Sequence, residues 1–288
     1  MPKVKTSRNP LMIPTVPFEE YSKKYSKLFQ LERTESGVVM AKWHTDGKSA
    51  VWDQPLHRAI HQLTSDVGQD VETEVFILGG AGHDWLAQIH STEAETPDSK
   101  KWLSYEHMFY DGCNICEGLI FDLEIPTIGV INGPGFHTEM ALFCDITLMA
   151  DDATIVDPHF HPANMVPGDG IQIAFRECMG LKRANYAMLT CETIGPEKAL
   201  QYGLVNEVVP KDKIYERAME LAELFASKPR MMRRATVQVL RQPWKEALAK
   251  ELRLGFGTEM WTYLAGNEVH DGGGGEQDKL MASLGADM

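Results

Sequence analysis

The segment IVDPHFHPANMVPGDGIQIAF, residues 155–175, gathers side chains that can move protons. His159 and His161 alternate, so in an extended chain both would point to the same face. Asp169 lies in the Gly-Asp-Gly turn that follows, where its carboxylate could fix the tautomer and orientation of an imidazole. Alternatively, Asp169 is the N-cap of a helix that begins at this turn. The pattern fits either a His-Asp general base held on one loop or a helix start.

The same two histidines, His159 and His161, have a spacing that also occurs among metal ligands, and Asp157 is close to them in the sequence. No third nitrogen or thiolate follows at a recognisable interval, so we expect no bound metal. The five cysteines are scattered, and only Cys113 and Cys116 form a C-x-x-C pair. Without a second pair to complete a zinc site, these two residues are interpreted as thiols on one face of a helix.

A further histidine, His137, follows an apolar run in the segment NGPGFHTEM, with Glu139 two residues further on. A lone histidine often has only a structural role. Open α/β sheets, however, place their sites at the C-terminal ends of strands. His137 is therefore either a satisfied structural histidine or a site residue, and Glu139 is an alternative acid or base.

Three glycine-bearing turns, GGAGHDWLAQ, NGPGFHTEM and VPGDGIQ, each follow a predicted buried strand. Backbone N-H groups at such turns can stabilise an oxyanion, and we count Ala87 of the first turn among these donors. Alternatively, the glycines only allow positive φ angles. Trp52 has an indole N-H that could donate into the same site, although packing in the core is the ordinary role of a tryptophan.

Glu259 is an unexpected residue in the last predicted helix, WKEALAKELRLGFGTEMWTYLAG. Its spacing from Leu252 and Phe256 places it on the apolar face of that helix. A buried carboxylate is unfavourable unless it is paired. Glu259 therefore either meets a cationic partner, such as a histidine of the site, or lies in solvent at the edge of the apolar face.

The elements that would position these residues are short apolar runs separated by helical patterns. Nearly continuous apolar runs are typical of strands buried on both faces of a parallel sheet. Asp53 is the predicted N-cap of the first long helix, and helical patterns predominate after residue 171. The sequence thus predicts an α/β body followed by a helical C-terminal part. The predicted strands are SGVVMAKWH (36–44), TEVFILGG (73–80), IPTIGVINGPG (125–135) and DITLMADDATIVD (145–157).

The composition narrows the class of protein. The chain has 288 residues, a formal net charge of -13 and 43% apolar residues. The negative charge argues against nucleic-acid and anionic-membrane partners, because clustered Lys and Arg bind both. No apolar run approaches the roughly 20 residues that span a bilayer, and the first residues lack the apolar core of a signal peptide. We therefore expect a cytoplasmic protein.

The chain resembles the crotonase (enoyl-CoA hydratase/isomerase) superfamily over about residues 20–265. The resemblance is carried by VFILGGAGHDWLAQI, EIPTIGVINGPGFHTEMALFCDITLMADDATIVD, VPGDGIQIAFRECMGLKRANYAMLT and ETIGPEKALQYGLVNEVVP. It implies an α/β fold, a crotonase-type ββα spiral with a helical C-terminal region, assembled as a homotrimer or a dimer of trimers. The implied parts are an N-terminal arm (1–25), a spiral core (26–210), a helical trimerisation region (211–265) and a flexible tail (266–288).

Within that superfamily, the sequence departs from the hydratases. Hydratases carry a glycine triplet and two glutamates. Here His137 replaces the triplet, Glu139 takes the first glutamate position, and Phe160 stands where the second glutamate would be. The segments PFEEYSKKY, HTDGKSAVW, VPGDG and GTEMW, and the histidine of NGPGFH, instead resemble β-diketone hydrolases of the 6-oxocamphor hydrolase type. Those enzymes do not use coenzyme A.

This second resemblance implies roles by position. Asp169 matches the aspartate that pairs with the general base, and Glu259 matches a further site glutamate. His137 and Trp52 match the donors to a carbonyl oxygen. Without a gap, the base itself falls on Phe160, so the base would be one of the flanking residues, His159 or His161. His159 follows a proline, as the family's histidine does, and is favoured.

The resemblance therefore implies a cofactor-independent hydrolase that cleaves the carbon-carbon bond of a cyclic β-diketone by a retro-Claisen reaction, giving a keto acid. One alternative is an acyl-CoA hydratase, isomerase or thioesterase that uses Glu139. In that case the basic stretch KPRMMRRATVQVLRQ (228–242) could hold the nucleotide phosphates. Otherwise that stretch is a solvated basic helix face. A second alternative is a crotonase-fold assembly protein without activity.

Overall fold

The computed structural model describes residues 15–89 and 104–269, which form a six-stranded sheet, a separate pair of short strands and the helices around them. The strands are β1 (Phe29–Arg33), β2 (Val38–Trp43), β3 (Val51–Trp52), β4 (Val75–Gly80), β5 (Gln88–Ile89), β6 (Thr127–Ile131), β7 (Ile146–Ala150) and β8 (Glu207–Val209). The order in the large sheet is β1, β2, β4, β6, β7, β8. Only the β1 and β2 pair is antiparallel.

The central strands are the apolar runs that the sequence predicts as doubly buried. All residues of β4 and β6 are buried, because helices cover both faces of a parallel sheet. In the register of the sheet, Ile77 pairs with Ile128, and Val130 pairs with Leu148. The β6, β7 and β8 strands all end at one edge of the sheet, and the chain leaves that edge as polar turns.

A second, smaller layer follows the strand ends. Strands β3 and β5 pair in parallel. Single bridges then join Leu86 to Gly135, Gly135 to Ile155, and Ile155 to Ile194. Strands β2 and β4 are thus followed by β3 and β5, and strands β6 and β7 by the bridged residues Gly135 and Ile155. This repetition is the ββα spiral expected from the sequence.

The helices are α1 (Phe18–Lys24), α2 (Gln54–Gln69), α3 (Asp111–Glu117), α4 (Glu139–Leu142), α5 (Ile171–Met179), α6 (Leu181–Thr190), α7 (Pro196–Tyr202), α8 (Ile214–Ala226), α9 (Arg230–Leu240) and α10 (Gln242–Val269). Asp53 caps α2 as predicted, since its Oδ1 accepts a hydrogen bond of 2.8 Å from the Leu56 N-H. Segments of π-helix, Ser104–Tyr110 and Gly118–Asp122, flank α3. Cys113 and Cys116 are buried free thiols on this continuous helical stretch, as predicted.

The two ends of the chain differ in part from the predicted arm and tail. Residues 1–14 lie outside the described residues, but the rest of the predicted arm forms α1 and packs on the body with Tyr21 buried. The Tyr21 hydroxyl donates to Asp70 Oδ2 at 2.9 Å. At the other end α10 continues to Val269, so the predicted tail begins as helix, and residues 270–288 lie outside the described residues.

The basic stretch 228–242 is not a solvated face. Arg233 is buried, and Arg233 and Arg230 both form ion pairs with Glu74. Arg241 is 1% exposed and bonds to both carboxylate oxygens of Asp145. These arginines are thus committed to internal carboxylates that join the C-terminal helices to the sheet. Among the described helices, none is long and apolar enough to cross a membrane.

Candidate active site

Two histidines and several buried carboxylates converge beyond the end of β6. His137 follows this strand after a short turn and has a φ angle of 52°. A non-glycine residue in the left-handed region stores about 1–3 kcal/mol of backbone strain, and such residues cluster at functional sites. The Trp85 indole N-H donates to the His137 carbonyl at 3.4 Å, which helps to hold this conformation.

The His137 ring is paired with two carboxylates. Its Nδ1 lies 2.9 Å from Asp169 Oδ2 and 3.1 Å from Glu139 Oε1. Burial opposes the charge on the ring, but the two carboxylates outweigh it and raise the pKa of His137 to about 10. The ring of Trp52 lies against the imidazole, with a centroid distance of 4.4 Å and an interplanar angle of 33°. The structure therefore brings Trp52, His137, Glu139 and Asp169 together.

His159 faces the same carboxylates from the loop after residue 155. Its Nδ1 lies 2.6 Å from Asp157 Oδ1, and its Nε2 lies 3.7 Å from both Asp169 Oδ2 and Glu259 Oε1. Burial disfavours the charged ring, yet Asp169, Asp157 and Glu259 together raise the pKa of His159 well above its ordinary value. The rings of His159 and His137 have centroids 6.0 Å apart, so both histidines belong to one cluster.

Glu259 reaches the cluster from α10. Of the two environments predicted for it, a charged partner or solvent, it has the charged partner, His159. It is 3% exposed. A close approach of Gly168 to Gly255 lets the VPGDG turn lie directly on the helix, because a Cβ on either glycine would collide with the other's backbone. The Gly168 N-H then donates to Glu259 Oε2 at 3.1 Å. Burial, partly offset by His159, raises the pKa of Glu259 to about 8.

Asp169 is not the N-cap of α5, because the N-cap is Gly170, but its side chain contacts both the start of this helix and the histidine cluster. Its Oδ1 accepts a hydrogen bond of 3.1 Å from the Ile171 N-H at the start of α5, while its Oδ2 faces the two histidines. Although burial opposes ionisation, His159 and His137 hold the pKa of Asp169 below its ordinary value. The neighbouring Glu139 has its pKa raised to about 7 by burial and by the Asp169 charge. Asp169 is thus an ionised carboxylate that lies between the protonated rings of His159 and His137.

His161 lies outside this cluster, and its side chain is exposed. The predicted extended segment in which His159 and His161 share a face does not form. The chain turns instead, with the Ala163 N-H bonded to the Pro158 carbonyl at 3.0 Å and the Met165 N-H to the His159 carbonyl at 2.8 Å. Only His159 of the two candidates is therefore in contact with Asp169 within the described residues.

Ala87 lies in the small layer next to the site, between the bridged Leu86 and strand β5. Strand β3, which ends in Trp52, pairs with β5 at this point. The position is compatible with a donor near Trp52. The role of the Ala87 N-H as an oxyanion donor stays a prediction.

Two residues of the cluster region were not identified as site residues from the sequence. The carboxylate of Asp157 bonds to His159, and its Asp-Pro-His spacing is a signal that could have indicated this pair. His57 packs edge-on against Trp52, with ring centroids 5.1 Å apart. Burial and the nearby His137 lower the pKa of His57 to about 3, so this ring is neutral. Its position on α2 gave no signal in the sequence.

The cluster also contains two sets of donor atoms that could hold a metal ion. One set is His137, Glu139 and Asp169, and the other is His159, Asp169 and Glu259. Within each set the donor atoms lie within 4.8 Å of one another. Nitrogen and carboxylate oxygen together suit zinc and other divalent transition metals.

The fold and the polar cluster at the strand ends define an α/β protein of the crotonase type. Residues 94–265 match the family profile described as enoyl-CoA hydratase/isomerase, and the chain belongs to this family of enzymes.

Relatives and solved structures agree on the family and fold. The chain is 27% identical over 206 residues to a hydroxycinnamoyl-CoA hydratase-lyase of Pseudomonas fluorescens, covering 70% of this chain and 74% of the relative. It is 29% identical over 185 residues to carnitinyl-CoA dehydratase of Escherichia coli K12, covering 59% and 67%. An enoyl-CoA hydratase/isomerase structure from Mycobacterium paratuberculosis has a TM-score of 0.72 at 20% identity, covering 83% and 94%, and shares the fold.

A β-diketone hydrolase from the cyanobacterium Anabaena sp. PCC 7120, bound to (S)-3-oxocyclohexyl acetic acid, is also similar. Its structure has a TM-score of 0.79 and 30% sequence identity, and the match covers 85% of this chain and 97% of that chain. The predicted crotonase-type fold is thus confirmed, and relatives with two different chemistries share it.

Proposed function

We propose that this protein hydrolyses the carbon-carbon bond between the two carbonyl groups of a β-diketone, a retro-Claisen reaction, without coenzyme A. The observation that carries the proposal is the convergence of His159, Asp169 and Glu259 around one point in a buried site. One nitrogen or oxygen atom of each residue lies within 4.8 Å of the other two, and in the proposed mechanism a single water oxygen is hydrogen-bonded to these three atoms.

His159 is the proposed general base. Neutral imidazole takes a proton from that water at Nε2, and the hydroxide attacks one carbonyl carbon of the diketone. The nearby carboxylates raise the pKa of His159, and burial raises the pKa of Glu259, so each group binds its proton more strongly than it would in water. The reactive form has the proton on Glu259 and the lone pair on His159.

His137 and Trp52 are the proposed donors to the second carbonyl. The tetrahedral intermediate breaks the carbon-carbon bond, and the electron pair leaves as an enolate whose charge is on oxygen. A protonated His137, stacked on Trp52, can bind this oxygen as its charge develops. The ion pair with Asp169 keeps the ring oriented for that contact.

A proton on the enolate carbon completes the reaction, and the proposed source is Glu259 together with His159. A cyclic diketone plus one water then gives a keto acid with no atoms left over. Because the overall hydrolysis involves no oxidation or reduction, it requires no redox cofactor. The proposed proton transfers use only these side chains.

The alternative is acyl-CoA chemistry through Glu139, which the names of the sequence relatives favour. Two observations argue against it. Glu139 is bonded to His137, and Arg230, Arg233 and Arg241 are engaged by internal carboxylates instead of being free for nucleotide phosphates.

The test is incubation of EDTA-treated protein with cyclic and bicyclic β-diketones and, separately, with crotonyl-CoA, followed by mass spectrometry. We expect the diketones to gain one water and crotonyl-CoA to remain unchanged. Asp169→Asn should abolish most of this turnover with the fold retained, and Asp152→Asn, an exposed change, is the matched control. Turnover of crotonyl-CoA with inert diketones would overturn the proposal.

A further inference from the structure

Asp157 is a buried carboxylate whose side-chain hydrogen bonds, among the described residues, go to His159. It is 3% exposed, its Oδ1 lies 2.6 Å from His159 Nδ1, and the same oxygen accepts from the His159 N-H at 3.3 Å. Its Oδ2 finds no hydrogen-bond partner among the described residues. A buried carboxylate is unfavourable unless it is compensated, so its interaction with His159 accounts for its presence.

We propose that Asp157 is the positioning residue of the base His159, while Glu139 and Asp169 together pair with His137, so that the two histidines have separate carboxylate partners. This inference rests on the proposed hydrolysis for its kinetic consequences. It replaces the single His-Asp dyad expected from the family resemblance, in which Asp169 orients the base.

The nitrogen–oxygen distances show which carboxylate, Asp157 or Asp169, can orient the His159 ring. An orienting carboxylate must accept a hydrogen bond, which needs about 2.7–3.2 Å between nitrogen and oxygen. Asp157 satisfies this for His159 at 2.6 Å. His137 Nδ1 is hydrogen-bonded to Glu139 Oε1 at 3.1 Å and forms an ion pair with Asp169 Oδ2 at 2.9 Å. The gap of 3.7 Å between Asp169 Oδ2 and His159 Nε2 is too long for a direct hydrogen bond.

The tautomer follows from the pairing. Asp157 fixes a proton on His159 Nδ1, so the lone pair of the neutral ring is on Nε2, directed towards Asp169 and Glu259. That is the nitrogen that must accept the proton of the attacking water. In the opposite tautomer the lone pair would face Asp157, and His159 could not act as the base.

Asp157 could instead serve only to stabilise the turn through the His159 backbone N-H. The variant Asp157→Asn separates these roles, because the amide oxygen still accepts from the backbone while the charge that fixes the tautomer is lost. We expect kcat to fall roughly 10²- to 10⁴-fold with KM little changed. Asp151→Asn, an exposed aspartate outside the cluster, is the control.

Nitrogen-15 NMR of histidine-labelled protein provides a measurement independent of activity. In the wild type we expect the neutral His159 ring to carry its proton on Nδ1. Asp157→Asn should move that proton to Nε2 in a substantial fraction, and Asp169→Asn should alter His137 and leave the His159 tautomer unchanged.

Three results would overturn the inference: an Nε2-H tautomer of His159 in the wild type, unchanged turnover of Asp157→Asn, or a change of the His159 tautomer in Asp169→Asn only. The wild-type spectrum alone shows which ring nitrogen of His159 carries the proton, so the inference can be tested even if a variant does not fold. Absence of diketone turnover in the wild type, with the expected tautomers present, would instead refute the proposed function and leave the pairing intact.

Discussion

Glu259 Oε1 lies 3.7 Å from His159 Nε2, which joins the last helix to the loop that carries the proposed base. The contact explains a carboxylate on the apolar face of α10. It also makes α10 part of the site as well as part of the helical C-terminal region.

Replacing Glu259 by Gln should remove proton exchange with His159 and keep the packing. We expect kcat for diketone hydrolysis to fall by roughly 10²-fold or more, because general acid-base catalysis contributes factors of that size. Steady-state kinetics measure the change, and Glu246→Gln, at an exposed position of the same helix, is the control. A variant as active as the wild type would remove Glu259 from the mechanism.

The same cluster should make stability fall as pH rises. In the folded state the pKa of Glu259 is raised from its ordinary value of 4.5 to about 8, and the pKa of Glu139 is raised to about 7. Both carboxyl groups therefore keep a proton at pH values where they lose it in the unfolded chain. The pKa of His159 is also raised above its ordinary value. The ionisable groups around this ring are Asp157, Asp169, Glu259 and His137. Because the folded state binds more protons in this range, the free energy of unfolding should decrease from about pH 4.5 to pH 8.

Chemical denaturation at several pH values tests this dependence. Glu259→Gln mimics the protonated carboxyl group at every pH, so its stability should decrease less steeply than that of the wild type. Parallel curves for the two proteins would contradict the assignment of this proton to Glu259.

Trp52 is expected to act through its indole N-H. Trp52→Phe keeps an aromatic ring against His137 and removes the donor, so we expect kcat/KM to fall by roughly 10²-fold, the size measured for loss of one oxyanion donor. The exposed Trp261 provides the control Trp261→Phe. Equal loss in both variants would indicate a general effect on the fold.

The two candidate bases should behave differently on substitution. His159→Ala should reduce turnover to near background, whereas His161→Ala should retain at least half of it, because the His161 side chain is exposed. Both rates are measured with the same diketone. A greater loss in His161→Ala would reverse the assignment of the base.

Metal removal and metal addition should have different effects on the rate of hydrolysis. Treatment with EDTA should leave hydrolysis unchanged, since the proposed steps use only side chains. Added Zn²⁺ should inhibit, because each of the two donor sets offers histidine nitrogen and carboxylate oxygen at a spacing that a zinc ion can bridge. Loss of activity with EDTA and recovery with Zn²⁺ would mean that the reaction requires the metal.

The sequence by itself determined the parts whose signal is local. The apolar runs of β4 and β6, the cap at Asp53 and the carboxylate of Glu259 on an apolar face are all readable from spacing, since periodicity and burial are linked along one element. The glycine-bearing turns after the strands also indicated where polar side chains collect.

Only the tertiary structure decided which of these side chains meet. Alternation placed His159 and His161 on one face, but the turn after Pro158 separates them. The pairing of Asp157 with His159, and of Asp169 with His137, depends on how the VPGDG turn packs on α10 and on the end of β6. Spacing along a chain specifies neighbours within an element, whereas contacts between loops depend on the packing of the elements that carry them.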